Sequence, residues 1–384
     1  MKIGIAGGGI AGLTLMNFAA EQALDARLFE KKQELLEEGS GLLLGINAMK
    51  ILGHLGLGEK IQSEAARLDS INITDGAGRI LSHTDLKKLR EEIGLPAVCI
   101  QRKNLHRILS GNLEKSRLVT GALIKGVSAD NGQVNLLFEN GKSESFDMVV
   151  GADGIHSAVR DSLFGPAPLR YSGYTCWRFI TNLPEEAPAS SAWEMLGRGK
   201  RFGICPVGDG KVYCYATMNA PEGKYKESIS REDFARLFSE FTYIVPAILR
   251  NLLSDSSSNL IHRDISDLKR VYMASPEKNV LLAGDAGHAT TPNLGQGAAM
   301  GIEDAWILAG LLSQDRNPGS IIRKYSALRA TRVESIRNTS LWVGRINQME
   351  NPILRWLRNT LYRLTPSGVS ERSLVKLLLA YENA

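Results

Sequence analysis

The chain has 384 residues, 43% of them hydrophobic and 23% charged, an ordinary globular composition with enough apolar material for a large core and two or three structural units. Its 46 basic and 41 acidic residues leave a net charge of only +5, which points away from nucleic acid and is compatible with an anionic substrate or cofactor. No run reaches the roughly 18 apolar residues that cross a bilayer, the N-terminus enters a strand with no room for a signal peptide, and Cys99, Cys176, Cys205 and Cys214 form no CxxC pair; buried free thiols, a cytoplasmic location and no metal site are expected.

Lys2–Ala6 reads as a short apolar strand followed at once by Gly7-Gly8-Gly9-Ile10-Ala11-Gly12 and a helix to about Ala23. A second strand, Ala26–Phe29, ends in Glu30. This is the βαβ dinucleotide fingerprint, with one glycine for the tight turn, one for close approach of a pyrophosphate and one for helix–strand packing. Glu30 falls about 20 residues on, where an acid accepts hydrogen bonds from a ribose diol.

Between Gly39 and Leu57 a strand and then a helix are expected, and Ser70–Ile80 reads as strand, Asp75-Gly76 turn, strand. His83–Glu92 is charged and expected to be exposed. Val98–Leu109 is a short strand and a helix, with Arg102 near the helix start, where a basic group can meet a phosphate. Leu118–Val150 is a run of strands punctuated by Asn131-Gly132 and Asn140-Gly141, both hairpin signals, and it ends in Gly151-Ala152-Asp153-Gly154.

From Tyr171 the character turns to β, with Tyr171–Leu183, Lys200–Val207 and Lys211–Met218 as strands carrying Tyr174, Trp177, Arg178, Arg201, Phe202, Tyr213 and Tyr215. This sheet is expected to wall a pocket. Glu227–Leu253 reads as helical, Asp255–Ser258 as a polar loop, and Ile261–Asp267 as a strand. Val280–Ala283 is a buried parallel strand ending at Gly284-Asp285, where open α/β sheets place ligands. Pro292, Gly295, Gln296 and Gly297 form the next loop, and a helix begins near Ala298. Its glycines admit a flat ligand, and its amides stay free to donate at the helix N-terminus. The region from Ser335 is helical and basic. Ile353–Leu364 pairs Leu, Trp and Ile with arginines, and is expected to pack its apolar side on the protein rather than on a membrane or partner.

Three motifs, GGGIAG at 7–12, GADGIHSAVR at 151–160 and GDAGHATTPNLGQGAAMGIEDA at 284–305, in this order and spacing resemble the single-component FAD-dependent aromatic hydroxylases, the group that includes para-hydroxybenzoate, salicylate and urate hydroxylases. The resemblance runs across nearly the whole chain. Around YSGYTCWRFI and GRGKRFGICPVGDGKVYCY it is nearest to bacterial FAD-dependent urate hydroxylases and zeaxanthin-epoxidase relatives. It implies a mixed α/β fold of the para-hydroxybenzoate hydroxylase type. A discontinuous Rossmann-like FAD domain (1–70, 98–168, 271–340), a β-rich substrate domain (71–97, 169–270) and a C-terminal helical segment (341–384) are expected. It also implies that FAD binds along Gly7, Gly9, Ile10, Ala11, Gly12, Glu30 and Lys31, with Arg102 at the pyrophosphate and Gly284-Asp285 at the ribityl chain. Asp153-Gly154 would serve both FAD and the nicotinamide nucleotide, and Pro292, Gly295, Gln296, Gly297 and Ala298 would face the flavin ring. Only one fingerprint is present, so NADH or NADPH is expected to visit a groove and leave.

Reduced flavin and O2 give a C4a-hydroperoxide with an electrophilic distal oxygen, so the expected substrate is a small electron-rich aromatic or N-heterocycle. Arg201 matches in local context an arginine that urate hydroxylases place near substrate; Arg178 is a second candidate anchor, and Tyr174, Tyr213 and Tyr215 are candidates for orienting the ring. His288 is expected to have a structural hydrogen-bonding role. An epoxidase or an antibiotic-inactivating monooxygenase of the same fold remains an alternative, as does an NAD-binding dehydrogenase; the last would leave Asp285 and Gly295–Gly297 without a purpose. A monomer or homodimer without nucleic-acid or membrane contact is expected.

Overall fold

The computed structural model describes residues 1–34, 40–130, 132–225, 227 and 229–383; Gly39 and Asn131 lie outside them. A six-stranded sheet runs in the order Ala274–Ser275, Val280–Leu282, Met148–Gly151, Lys2–Ala6, Asp25–Glu30, Leu118–Thr120. All pairs but the first are parallel. Its central strands are buried on both faces, so they read as unbroken apolar runs rather than alternating ones. From the first strand the chain goes to Asp25–Glu30 on one side, while Met148–Gly151 docks on the other. That reversal opens a crevice at the strands' carboxyl ends.

Register brings the three motifs to one rim. Ala6 is level with Phe29 and Gly151, and Gly151 is level with Leu282. The residues that follow, Gly7, Ala152 and Ala283, therefore leave the sheet side by side.

A seven-stranded sheet takes the order Ile261–Leu268, Leu169–Asn182, Lys211–Asn219, Lys200–Pro206, Ser191–Leu196, Ser70–Asp75, Ile80–Asp85. One face carries Trp177, Phe179, Phe202, Ile204, Cys214 and Ala216, packed beneath Phe234, Phe238 and Phe241. Each such ring contributes about 1.5–3 kcal/mol by burial. The period of two sends Tyr174, Cys176 and Arg178, Arg201 and Gly203, and Tyr213, Tyr215 and Thr217 to the opposite face, toward Gly41 and the 292–294 turn.

Several expectations are corrected here. Glu227–Leu253 is not one helix but two, Arg231–Leu237 and Val245–Ser254, separated by a turn in which Tyr243 has φ 60°. His83–Glu92 is not uniformly exposed, because the helix Leu86–Ile93 buries Leu86 and Leu89. The strand Ser191–Leu196 has too short an alternation to stand out in the sequence. The helix Pro318–Asn347 runs unbroken through residue 341. The helix Pro352–Leu364 leaves its apolar side outside, and of its residues it buries Arg358.

Candidate active site

The rim glycines divide by the space around them. A Cβ at Gly7, where φ is +107°, would lie 2.4 Å from the Ala152 carbonyl oxygen, and one at Gly12 would lie 2.0 Å from that of Gly7. Neither tolerates a side chain. Gly9 and Gly154 face open space, with nothing within 4 Å of an added Cβ. The turn is thus tight where strand meets helix and open where a ligand would pass. Ile10 is buried and Ala11 packs against Gly284 and Gly301, clamping the Ile10–Glu21 helix to the Gly297–Gln314 helix.

Glu30 ends its strand beside this opening. Its carboxylate accepts from the Gly8 amide at 2.8 Å and the Lys32 amide at 2.9 Å, while Lys31 is exposed. Asp153 accepts from the Val159 amide at 3.2 Å and leaves Oδ1 buried without a partner; burial raises its carboxyl above the ordinary value, against the pull of the Ser157 hydroxyl and nearby amides. Asp285 stands in the mouth of the cleft, its side chain open to solvent but walled by protein on its other sides. That enclosure raises its carboxyl, while His288 and Arg102 oppose the shift. Arg102 opens the helix Arg102–Ser110 and is half-buried. An open glycine turn, an unpartnered buried carboxylate oxygen and a carboxylate facing the cleft fit an elongated cofactor with a pyrophosphate and polyol.

A buried charge network holds this rim from behind. Asp304 accepts from the Gly284 amide at 2.7 Å, pairs with His288 Nε2 at 2.7 Å, and accepts from Arg329 Nε at 2.7 Å. Burial opposes its ionisation, but His288 and Arg329 outweigh that and hold its carboxyl far below the usual range. Arg329 also reaches Glu303 at 2.8 Å, and Glu303 accepts from Asn47 at 2.8 Å. Arg160, the last residue of the second motif, donates to the carbonyls of Ile155 at 2.9 Å and Ala286 at 3.1 Å, joining the second motif to the third.

The loop expected to face the flavin begins with the exposed Pro292 in a short turn, and Gly295 follows with φ 64°. Gln296 is buried and its side-chain oxygen accepts from Asn47 at 3.0 Å. Gly297 and Ala298 start the long helix, and both are half-buried at the cleft.

Facing this loop, Arg201 is 2% exposed and every arm of its guanidinium is engaged. Nη1 pairs with Glu194 at 2.9 Å, Nη2 donates to Asn293 at 2.8 Å, and Nε donates to Gln348 at 2.9 Å and Thr217 at 3.2 Å. The Tyr174 hydroxyl donates to the same Asn293 oxygen at 3.1 Å, and the guanidinium lies 5.3 Å from the Tyr174 ring centroid. Asn293 sits in the 292–294 turn, so Arg201 bolts the pocket wall to the cofactor loop. Arg178 lies next to Cys176, Tyr213 and Tyr174; burial works against its charge, and these neighbours hold its pKa above the ordinary value. Among the described residues it makes no ion pair. Burial pushes the Tyr213 phenol up despite Arg178, so it stays protonated. Its ring lies directly against Gly41. Arg201 and Arg178 were expected at the wall, but Glu194, Asn293, Gln348, Glu303, Asp304 and Arg329 were not singled out from the sequence. The adjacent Glu303-Asp304 inside an otherwise apolar helical pattern was the one available signal.

The FAD binding domain family model matches residues 1–340. The chain is 33% identical over 363 residues to the aurachin C monooxygenase/isomerase of Stigmatella aurantiaca, covering 94% of each. It is 33% identical over 375 residues to the 2-heptyl-3-hydroxy-4(1H)-quinolone synthase of Pseudomonas aeruginosa (strain UCBPP-PA14), covering 97% of this chain and 96% of that one. Its fold matches the crystal structure of Klebsiella pneumoniae HpxO complexed with FAD and uric acid with a TM-score of 0.90 at 25% identity, covering 99% and 97% of the two chains. A rim shaped for an extended flavin, a pocket wall set opposite it, and full-length kinship of this kind together mean that the chain belongs to the single-component FAD-dependent aromatic and heterocyclic hydroxylases and is a flavoprotein monooxygenase.

Proposed function

We propose that this enzyme hydroxylates a neutral, fused N-heteroaromatic ring of the quinolone type bearing an apolar tail, with NADH or NADPH as transient reductant. The charge balance of the pocket wall carries this reading. Arg201 is already neutralised by Glu194, so a carboxylated substrate would have to displace a buried ion pair. Arg178, which faces phenols and a thiol, is the cation left to polarise a ring oxygen. The names of the aurachin and heptylquinolone relatives point the same way.

Bound FAD supplies oxygen activation at its ring. The protein's part is to hold and shield. Gly7, Gly9, Ile10, Ala11, Gly12, Glu30, Lys31 and Arg102 take the adenosine and pyrophosphate end, Asp153-Gly154 borders the middle, and Gly284-Asp285 takes the polyol. Amides of Gln296, Gly297 and Ala298, at a helix N-terminus, would stabilise negative charge at the ring edge, while the Gly295 amide donates to the Pro292 carbonyl at 3.0 Å and fixes the turn that presents them. Tyr213 and Tyr215 orient the substrate, and the packed wall keeps water out. The unpaired thiols favour a reducing, cytoplasmic setting, for a monomer or homodimer.

The test is NAD(P)H-dependent O2 uptake across 2-alkyl-4(1H)-quinolones of graded tail length, urate and salicylate, scoring hydroxylated product against hydrogen peroxide. Coupled turnover is expected with quinolones and should improve with the tail. Coupled turnover on urate or salicylate, with quinolones yielding only peroxide, would overturn the reading.

A further inference from the structure

The helix Pro352–Leu364 is built inside out. At 100° per residue, Ile353, Leu354, Trp356, Leu357, Leu361 and Leu364 occupy about 160° of one side. All six are exposed, Ile353 and Leu364 at 72% and Trp356 at 66%. The side turned to the protein is polar. Arg358 Nη1 donates to the Asn347 carbonyl at 3.1 Å, and the Tyr362 hydroxyl donates to Asn347 Oδ1 at 2.9 Å. The end of the preceding helix adds Trp342, 60% exposed, with the Arg345 guanidinium 5.4 Å from its ring centroid. A contiguous apolar face of this kind is uncommon on a free surface and marks an interaction site.

Charge decides what covers it. From 351 to 370 the chain has no acidic residue; of its three arginines Arg358 is buried on the inward side and Arg355 half-buried, so Arg363, with Arg345 of the preceding helix, supplies the exposed charge beside the apolar face. Glu350, just before, accepts from Asn219, and Arg363 has Asp75 at the 4.0 Å limit of an ion pair. A second copy placed face to face would set arginines against arginines. An anionic bilayer surface satisfies both halves of the pattern, taking the leucines into the acyl boundary, the tryptophans at headgroup level and the exposed Arg345 and Arg363 among the phosphates. No described helix is long and apolar enough to cross a membrane. We infer that the Pro352–Leu364 helix, with Trp342 beside it, docks this enzyme on the surface of an anionic phospholipid bilayer, lying in the plane of the interface. This replaces the expectation of no membrane contact and does not depend on the substrate reading. The inward side of the same helix backs the substrate wall, since Arg358 and Tyr362 bond Asn347, and the next residue, Gln348, bonds Arg201. A docked molecule would hold its substrate wall against the lipid.

The test is co-sedimentation of the full-length, FAD-loaded enzyme with vesicles of pure phosphatidylcholine or of phosphatidylcholine containing phosphatidylglycerol, at about 0.15 M salt. Wild type should partition at least about tenfold more strongly onto the anionic vesicles. Leu357→Asp/Leu361→Asp should abolish binding, and Arg345→Glu/Arg363→Glu should lower it about tenfold or more. All four side chains are exposed, so the variants should keep FAD and an unchanged melting temperature. Binding to neither vesicle type, equal binding to both, or equal binding by the aspartate variant would overturn the inference. So would light scattering that finds a dimer broken by those aspartates without vesicle binding.

Discussion

At the cofactor rim, the groups that matter lie within a few residues of a strand end, with Gly7 after Ala6, Asp153 after Gly151 and Asp285 after Leu282. At the substrate wall, Arg201 draws on Glu194, Thr217, Asn293 and Gln348, which come from separate elements of the chain. The rim is a property of backbone, specified by where a Cβ is absent. The wall is a property of paired charges, specified only once the fold has closed. The first therefore fails by steric intrusion or loss of its support, and the second by leaving one partner of a pair alone.

The largest effect should come from removing the rim's support. Arg329→Met takes the one guanidinium from buried Asp304, leaving it His288 alone, and leaves Glu303 to Arg332. Stability in urea should fall by about 3–5 kcal/mol, with loss of retained flavin; a loss below about 1 kcal/mol would mean that the rim does not lean on this network.

An intermediate effect separates the two arginines of the wall. Arg201→Ala strands Glu194 and frees Asn293, so it should lose about 1–3 kcal/mol of stability and uncouple NAD(P)H oxidation from product while keeping FAD. Arg178→Met breaks no ion pair, so it should raise KM about tenfold with melting unchanged, the equivalent of about 1.4 kcal/mol of substrate contact. If the two variants behave alike, the division of labour between a bolt and an anchor is wrong.

The smallest effect sharpens the contrast between two rim carboxylates. Asp285 has a raised folded-state pKa, so its ionisation works against folding once pH exceeds that value, and the penalty disappears as pH falls toward the unfolded value of about 3.9. Apo Asp285→Asn should therefore melt slightly above wild type at neutral pH, and the gap should close on acidification. FAD affinity of the variant should drop about tenfold. Asp304 has the opposite sign, since its depressed pKa gives stability that is present above about pH 3.9 and lost as pH falls through its folded value. An apo Asp285→Asn protein less stable than wild type at neutral pH would refute the first sign.

The rim was legible in the sequence because glycines and acids at strand ends are local signals with a period-breaking pattern. The positions of Arg201, Tyr213 and Tyr215 on one sheet face were legible from alternation. What Arg201 bonds to was not, since Glu194 lies on a strand, SAWEML, without a clean alternation and Gln348 arrives from the far end of the chain. Amphipathic periodicity marked the Pro352–Leu364 helix but not its orientation, because the same stripe fits a core-facing or an outward-facing helix until its partners are known.

The level register of Ala6, Gly151 and Leu282 has a consequence for biogenesis. During synthesis the early fingerprint emerges long before Gly284-Asp285 and the 292–297 loop, so the nascent chain offers only a fragment of the proposed flavin seat until most of it has left the ribosome. On the proposed binding mode flavin capture would be a late event, and the pigment would fasten together segments translated far apart.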